Sequence, residues 1–178
     1  MLSDYVPINI KCGSGGSGAI DYKDSQEKAK PSGGNGGNGG SINLEVSSEV
    51  HDLSHIDSTT QIKTDKGGDG GKNYRNGENG KDITINVPPG TRVLDSNGEL
   101  IAELISNGYI FTLESGGTGG RGNSDLQSKS NFSPGFAESG EKKHKEKYIL
   151  DLALISDIAI VGLPNAGKSS LLRSISNS

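Results

Sequence analysis

The residues best suited to chemistry form one run near the end of the sequence. They are Gly162, Leu163, Pro164, Asn165, Ala166, Gly167, Lys168 and Ser169. The run fits the pattern G-x-x-x-x-G-K-[ST], in which glycines let backbone N–H groups surround a phosphate at the start of a helix. The lysine of this pattern reaches the terminal phosphates, and the serine hydroxyl coordinates Mg²⁺. The run therefore predicts a nucleotide-binding loop, with Ser169 as the metal ligand and Ser170 beside the inner phosphate.

The residues on both sides of this loop have the character that it requires. An apolar strand pattern over 157–161 precedes it, and the helix-like opening Ser170-Leu171-Leu172 follows. A simple glycine turn between strand and helix is the alternative, and it leaves Lys168 unexplained. The sequence ends at Ser178, before any second acidic motif, water-positioning residue or base-reading motif. We assign no catalytic residue, and we expect residues 1–178 alone to bind nucleotide weakly and to lack catalytic competence.

The residues before about 148 contain several segments in which apolar and polar side chains alternate. These segments are 6–10, 42–46, 83–87, 100–105 and 109–113. Alternation with period two and many β-branched residues predict half-buried strands. The run Asp95-Ser96-Asn97-Gly98 predicts a hairpin turn, and Pro88-Pro89-Gly90 predicts another tight change of direction.

Glycine-rich blocks separate these strands, and the chain contains 28 glycines in all. The blocks are 13–18, 33–40, 67–71 and 116–120. Within them Gly-Gly-X repeats with period three, which is the period of the polyproline II helix. Flexible linkers are the alternative interpretation of such a composition. The position of the blocks between strands, together with the strict period, favours left-handed helices that pack closely against one another.

These patterns predict a mainly β protein with two domains. Residues 1–148 would form a small β barrel or sandwich bearing glycine-rich left-handed helices of polyproline II type. Residues 149–178 would form the start of an α/β phosphate-loop domain, with its first strand, its loop and the beginning of its first helix. The polar segment 122–147 ends in a charge run at 141–147, and we interpret it as a linker or a solvated edge.

Composition limits the remaining function classes. The net charge of −4 gives no overall electrostatic case for nucleic acid. The single Cys12 suits a reducing compartment and is expected to be a buried or inert thiol. His51 and His55 lack a third ligand, so we expect an ordinary exposed pair rather than a metal site. No apolar run approaches the length of a membrane span, and no secretory signal is visible, so we expect a cytoplasmic protein, with an organelle matrix as the alternative.

With both halves considered, the chain resembles the Obg family of GTPases over nearly all of its length. The glycine blocks resemble the N-terminal domain of that family, as do the residues 82–91 and the pair Gly140-Glu141. The loop 162–169 is similar to its first GTPase motif, including the Pro-Asn pair. The resemblance implies an eight-stranded barrel with glycine-rich helices, followed by a Ras-like domain that hydrolyses GTP with Mg²⁺.

The same resemblance implies partners and contact residues. It implies GTP and GDP as ligands, a role in assembly of the large ribosomal subunit, contact with ribosomal RNA, and a monomeric state. Basic residues beside the glycine blocks are the candidate RNA contacts, and they are Lys66, Lys72, Arg75, Lys81 and Arg121. The segment 21–30 is mixed in charge where the family tends to be more basic.

Two other functions remain open at this point. One is a stand-alone module that binds RNA or protein and carries a non-functional phosphate loop. The other is a phosphate-loop ATPase, because the residues that read the base are not in this sequence.

Overall fold

The computed structural model describes residues 5–23, 29–57, 59 and 61–152. The strand predicted at 157–161 and the nucleotide-binding loop predicted at 162–170 lie outside these residues. Within the described ranges the chain forms ten strands and no helix, which confirms the mainly β prediction. Accordingly, no helix there has the length and apolar character needed to cross a membrane.

The strands form two sizeable sheets and one small hairpin. In chain order they are β1 (Tyr5–Lys11), β2 (Tyr22–Lys23), β3 (Lys30–Pro31), β4 (Ile42–Val46), β5 (Gln61–Lys63), β6 (Ile83–Val87), β7 (Thr91–Leu94), β8 (Leu100–Leu104), β9 (Ile110–Glu114) and β10 (Glu146–Leu152). The larger sheet has the order β5-β1-β10-β7-β8, and the smaller has the order β6-β4-β9. Strands β2 and β3 pair only with each other.

One apolar core contains residues of both sheets. Alternate residues of β1 enter it, with Val6, Ile8 and Ile10 at most 3% exposed, and Leu44 of the smaller sheet is completely buried in the same cluster. Burial of each such side chain contributes roughly 1.5–3 kcal/mol. The alternating pattern that predicted these strands therefore records which face of each strand meets the core.

All five strands predicted from alternation are present, and the predicted turns are confirmed. The segment 95–98 joins β7 to β8 as a hairpin, and Gly98 there has φ of 85°. The turn 88–90 carries the chain from β6 in the smaller sheet to β7 in the larger one. Strands β2, β3, β5 and β7 were not predicted, because two to four residues are too few to establish a period.

Strand β10 was also not predicted, and it changes the outline of the first domain. It pairs with β1 on one side and with β7 on the other, so it lies near the middle of the larger sheet. Its Leu150 is completely buried in the common core. The boundary predicted between 148 and 149 therefore falls inside a strand that the first domain needs. The assignment of residues from 153 onward to a second domain stays a prediction.

Six further segments adjoin these strands, and their residues make few backbone hydrogen bonds within their own segment. They form three out-and-back pairs, which are 13–19 with 33–41, 65–71 with 75–82, and 116–123 with 138–143. Strands β1, β5 and β9 run into the outgoing segments, while β4, β6 and β10 follow the returning ones. We call the six together the glycine bundle. Its basal end adjoins the sheets, and its distal end holds Ala19, Gly71 and Asn123.

Candidate functional site

The segments of the glycine bundle satisfy one another's backbone groups with period three. Gly34, Gly37 and Gly40 donate their amides to carbonyl oxygens of Gly71, Gly68 and Asp65, at 2.8 to 2.9 Å. The interval of three residues on one segment matches an interval of three on its neighbour. Backbone groups that a polyproline-type segment cannot pair internally are thus paired between segments.

The residue in the third position of the repeat also takes part. Asn35 and Asn38 accept the amides of Gly122 and Gly119 through their side-chain oxygens, at 2.7 and 2.9 Å. Their own amides donate to side-chain oxygens of Asn76 and Asn79, at 2.9 and 2.8 Å. Asparagine in Gly-Gly-Asn therefore supplies hydrogen bonds that the glycines lack. This role of asparagine could be found from the repeat itself, because X is the only position of Gly-Gly-X that has a side chain.

Close approach, rather than unusual backbone angles, explains the glycines of the bundle. A Cβ atom added at Gly33, Gly36 or Gly39 would lie 2.1, 2.1 or 1.9 Å from a carbonyl oxygen of segment 13–19. Positive φ among the described glycines occurs only at positions 90, 98 and 108, all outside the bundle. The predicted close packing of the glycine blocks is therefore confirmed, and the flexible-linker alternative is wrong.

The segment 138–143 belongs to this bundle, so the interpretation of residues 122–147 as a linker or solvated edge fails for this part. The carbonyls of Glu138 and Glu141 accept the amides of Gly18 and Gly15, each at 2.9 Å. Lys143, within the predicted charge run, is only 20% exposed and pairs with carboxylates of Glu114 and Glu141. Composition did not indicate this role because the segment contains a single glycine, although the resemblance had associated Gly140-Glu141 with the first domain.

Carboxylates on this segment hold neighbouring segments together. The Glu141 carboxylate accepts hydrogen bonds from the Thr118 amide and hydroxyl, at 3.0 and 3.1 Å. The Thr118 amide, followed by Lys143, holds the pKa of Glu141 below its usual value. Bonds from Arg121 likewise lower the pKa of Glu138. Both carboxylates are therefore charged where the bundle is intact.

Lowering the pH should loosen the bundle through Glu141. Because its pKa is lower in the folded chain, its charged form stabilises the fold above the unfolded pKa, and this contribution disappears as the pH falls through the folded pKa. We expect the free energy of unfolding of Glu141→Gln to lie below that of wild type at neutral pH, and the difference to shrink towards about pH 3. Urea denaturation across this range measures it. Glu49→Gln, outside the bundle, is the control, and an equal pH response in both variants would refute the prediction.

The five candidate RNA contacts are not gathered in one place. Lys66 pairs with Asp69 at 3.1 Å, and Arg121 binds Glu138 through two nitrogens at 2.7 and 2.9 Å. Lys81 lies at the basal end, where its backbone packs against Gly40. The other two candidates, Lys72 and Arg75, lie at the distal end and bracket one tight turn, with the Arg75 amide donating to the Lys72 carbonyl at 3.2 Å.

That distal turn has an unusual backbone. Asn73 and Tyr74 both adopt left-handed conformations, with φ of 55° and 60°. A bulky residue such as tyrosine rarely does so, and such strain collects at functional sites. Their amides are held by Asp21 and by the Ser32 carbonyl, at 3.0 and 2.6 Å. Tyr74 is 46% exposed, and Lys72 and Arg75 flank it closely in sequence. An exposed aromatic between two cations suits contact with nucleic-acid bases, and sequence reasoning missed it.

The remaining chemical groups have structural roles. Cys12 is buried as predicted, its thiol donates to the Glu114 carbonyl at 3.2 Å, and burial raises its pKa. Burial, with the nearby Glu114 charge, raises the pKa of Tyr148 to about 12. The Nε2 atom of His55 lies 2.9 Å from the Asn86 carbonyl. Among the described residues no group of three His, Cys, Asp or Glu side chains is arranged to hold a metal.

The chain has a β domain that carries a bundle of interlocked glycine segments, and a phosphate-loop pattern follows this domain in sequence. Together these features define a class of proteins in which a glycine-rich domain precedes a nucleotide-binding one. Comparison with sequence families agrees. A family model described as GTP1/OBG matches residues 3–154, and one described as 50S ribosome-binding GTPase matches residues 157–178. The chain belongs to the GTP1/OBG family.

Similar proteins carry the same family name. "GTPase Obg" of Corynebacterium glutamicum is 43% identical over 173 residues, covering 95% of this chain and 34% of that protein. "GTPase Obg" of Corynebacterium urealyticum is 41% identical over 175 residues, covering 97% of this chain and 35% of that protein. "GTPase Obg" of Sulfurimonas denitrificans is 36% identical over 180 residues, covering 99% and 49%. The chain thus spans between a third and a half of the length of the curated relatives it matches.

Proposed function

We propose that the whole protein is a GTPase of the Obg type that acts in assembly of the large ribosomal subunit. One observation carries the GTP part, which is the loop 162–169 in the region matched by the model of a 50S ribosome-binding GTPase. In this proposal residues 162–170 bind GTP or GDP, with Lys168 on the terminal phosphates. The protein would act as a monomer in the cytoplasm.

Magnesium would accompany the nucleotide. The donor set fits a hard cation, because the Ser169 hydroxyl and nucleotide phosphates are oxygen ligands of the kind that Mg²⁺ prefers. Bound there, the ion would neutralise charge on the phosphates. The contribution of this chain is to supply Ser169 as a ligand and Lys168 as a second, fixed positive charge.

The ribosomal part of the proposal is supported by the distal turn of the glycine bundle. There Tyr74 is exposed and Lys72 and Arg75 are close to it in sequence, a combination suited to stacking on bases while the cations contact phosphates. The narrow, interlocked bundle would carry this turn away from the sheets. Lys66, Lys81 and Arg121 remain proposed contacts along its length.

The GTP proposal predicts a large effect of Lys168→Ala in the full-length polypeptide. Loss of a charge that is paired with phosphate should weaken Mg²⁺-dependent binding of a fluorescent GTP analogue on the order of 100-fold. Arg173→Ala removes a positive charge close by in sequence but outside the loop pattern, and it should change the dissociation constant little. Equal affinity of wild type and Lys168→Ala, or tighter binding of ATP than of GTP, would overturn the proposal.

A further inference from the structure

Two adjoining depressions form one groove where the larger sheet meets the glycine bundle. Their volumes are about 270 and 480 Å³, and both are lined by Lys11, Ser14 and Lys66. The first continues to Lys63, and the second to Lys142. We call this feature the basal groove. Of the described residues that line it, none is an aspartate or a glutamate.

The basal groove concentrates positive charge on a chain whose net charge is −4. Its lysines are Lys11, Lys63, Lys66, Lys142 and Lys143. Two of them are compensated, since Lys66 pairs with Asp69 and Lys143 pairs with carboxylates of Glu114 and Glu141. The other three have no ion-pair partner within the described part of the chain. The groove therefore holds an uncompensated positive charge of about three.

The pairing of two strands places two of these lysines side by side. Lys11 and Lys63 are direct partners in the parallel pairing of β1 with β5. The residues before them, Ile10 and Ile62, pack into the core, so both lysines lie on the outer face. Like charges directly opposite one another on neighbouring strands are destabilising. A bound anion would remove this repulsion.

The outer face of the sheet extends the positive surface. Asn9 pairs with Gln61 on one side and with Lys147 on the other, so Lys147 shares the outer face with them. The groove and this face together form an open strip whose cations come from separate segments of the chain. Such spacing suits several phosphates in a row better than one enclosed ion, which a tight ring of backbone amides would hold.

We propose that the basal groove binds consecutive phosphates of an RNA backbone through Lys11, Lys63 and Lys142. Lysine contacts of this kind position an RNA without reading its sequence. The exposed hydroxyls of Ser17 and Ser139 beside the groove supply further phosphate contacts. This inference rests on the proposed RNA contact and adds to it a second surface, at the opposite end of the bundle from Tyr74.

The test compares variants of the full-length polypeptide with a fluorescein-labelled RNA hairpin, measured by fluorescence anisotropy between about 50 and 200 mM salt. The groove variant carries Lys11→Gln, Lys63→Gln and Lys142→Gln. Removal of one lysine–phosphate pair should reduce the salt slope of the binding constant by about one, so the slope should fall by about three. Affinity at the lowest salt should fall about tenfold or more.

Two control variants separate the groove from net charge and from misfolding. Lys23→Gln, Lys30→Gln and Lys129→Gln together remove the same charge from exposed positions outside the groove, and the salt slope should stay that of wild type. Arginine at the three groove positions should retain the wild-type slope, since it keeps the charge. A groove variant that binds RNA like wild type, or two glutamine variants that weaken binding equally, would overturn the proposal.

Free polyphosphate is the competing source of the same chemistry. Sodium tripolyphosphate titrated by calorimetry should bind wild type more weakly than the hairpin does. Loss of tripolyphosphate binding in the groove variant, with hairpin binding unchanged, would overturn the RNA proposal. The GTP titration of the same variants distinguishes this outcome from the proposed function, because the groove variant should keep the wild-type affinity for GTP.

Discussion

Gly36→Ala should destabilise the chain by about 3 kcal/mol or more, because the new methyl group has no space to occupy. Its carbon would lie 2.1 Å from the carbonyl oxygen of Gly16 and 2.4 Å from the carbonyl carbon. Overpacking usually costs about 1–3 kcal/mol, and here the obstacle is backbone that cannot rotate aside. The same shift would also disturb the bond from the Gly36 amide to the Gly120 carbonyl, at 2.8 Å. Urea denaturation followed by circular dichroism measures the change.

Gly71→Ala is the matched control within the same bundle. An added methyl group there would meet the Arg75 Cβ at 3.4 Å and its carbonyl oxygen at 3.6 Å, which are ordinary contacts. The substitution should be neutral, or stabilise by about 0.4–1 kcal/mol through the reduced entropy of the unfolded chain. Equal destabilisation by the two variants would mean that glycine flexibility, not close approach, explains the repeat.

Asn123→Ala should cost about 2–4 kcal/mol, since the side chain satisfies several buried groups at the distal end of the bundle. Asn123 is completely buried. Its side-chain oxygen accepts the Gly33 amide at 2.8 Å, and its nitrogen donates to the carbonyls of Asp21 and Pro134 at 3.0 and 3.3 Å. Removal leaves the Gly33 amide without a partner, at about 1–3 kcal/mol, and loses the two donor bonds, at about 0.5–1.5 kcal/mol each. The carbonyls of Asp21 and Pro134 keep the Ser32 amide and the Tyr22 hydroxyl as donors. Equilibrium unfolding in urea, with exposed Asn131→Ala as control, measures the loss.

Asn123→Asp tests whether the side-chain nitrogen of Asn123, as a hydrogen-bond donor, contributes to stability. The aspartate keeps an acceptor for the Gly33 amide but faces the carbonyls of Asp21 and Pro134 with a second oxygen. Burial and these carbonyls should raise its pKa, so its contribution to stability should be present at low pH and be lost as the pH rises through that pKa. A variant that loses no more stability at neutral pH than at acid pH would show that a donor facing these carbonyls contributes little.

The substitutions at Gly36 and Asn123 test the same structural feature. In this feature, backbone groups are paired between segments that are distant in sequence. The Gly33 amide and Asn123 are 90 residues apart, and the Lys143 amide bonds the Ser14 hydroxyl across 129 residues. Both bonds join the first out-and-back pair to the third, and the bond from the Gly34 amide to the Gly71 carbonyl joins the first to the second. The bundle should therefore unfold as one cooperative unit rather than fray segment by segment.

Local periodicity determined much of this protein. Period two along 6–10 or 42–46 marks strands because alternate residues face the core, and period three along 33–40 marks packed glycine segments because every third residue meets the same neighbour. The loop 162–169 can be recognised in the same way, since phosphate binding needs fixed spacing within one short run. In each case the physical requirement acts on consecutive residues, so the sequence alone displays it.

Features that depend on contacts between residues distant in sequence were decided only by the tertiary structure. Segment 138–143 joins the bundle because its carbonyls meet amides of residues 15–18, and nothing in its own composition shows this. The left-handed Tyr74 is held by the Ser32 carbonyl, and the basal groove combines Lys11, Lys63 and Lys142 from three separate segments. Sequence spacing does not record such proximity, because loop closure can bring any pair together once the long-range contacts repay its entropy.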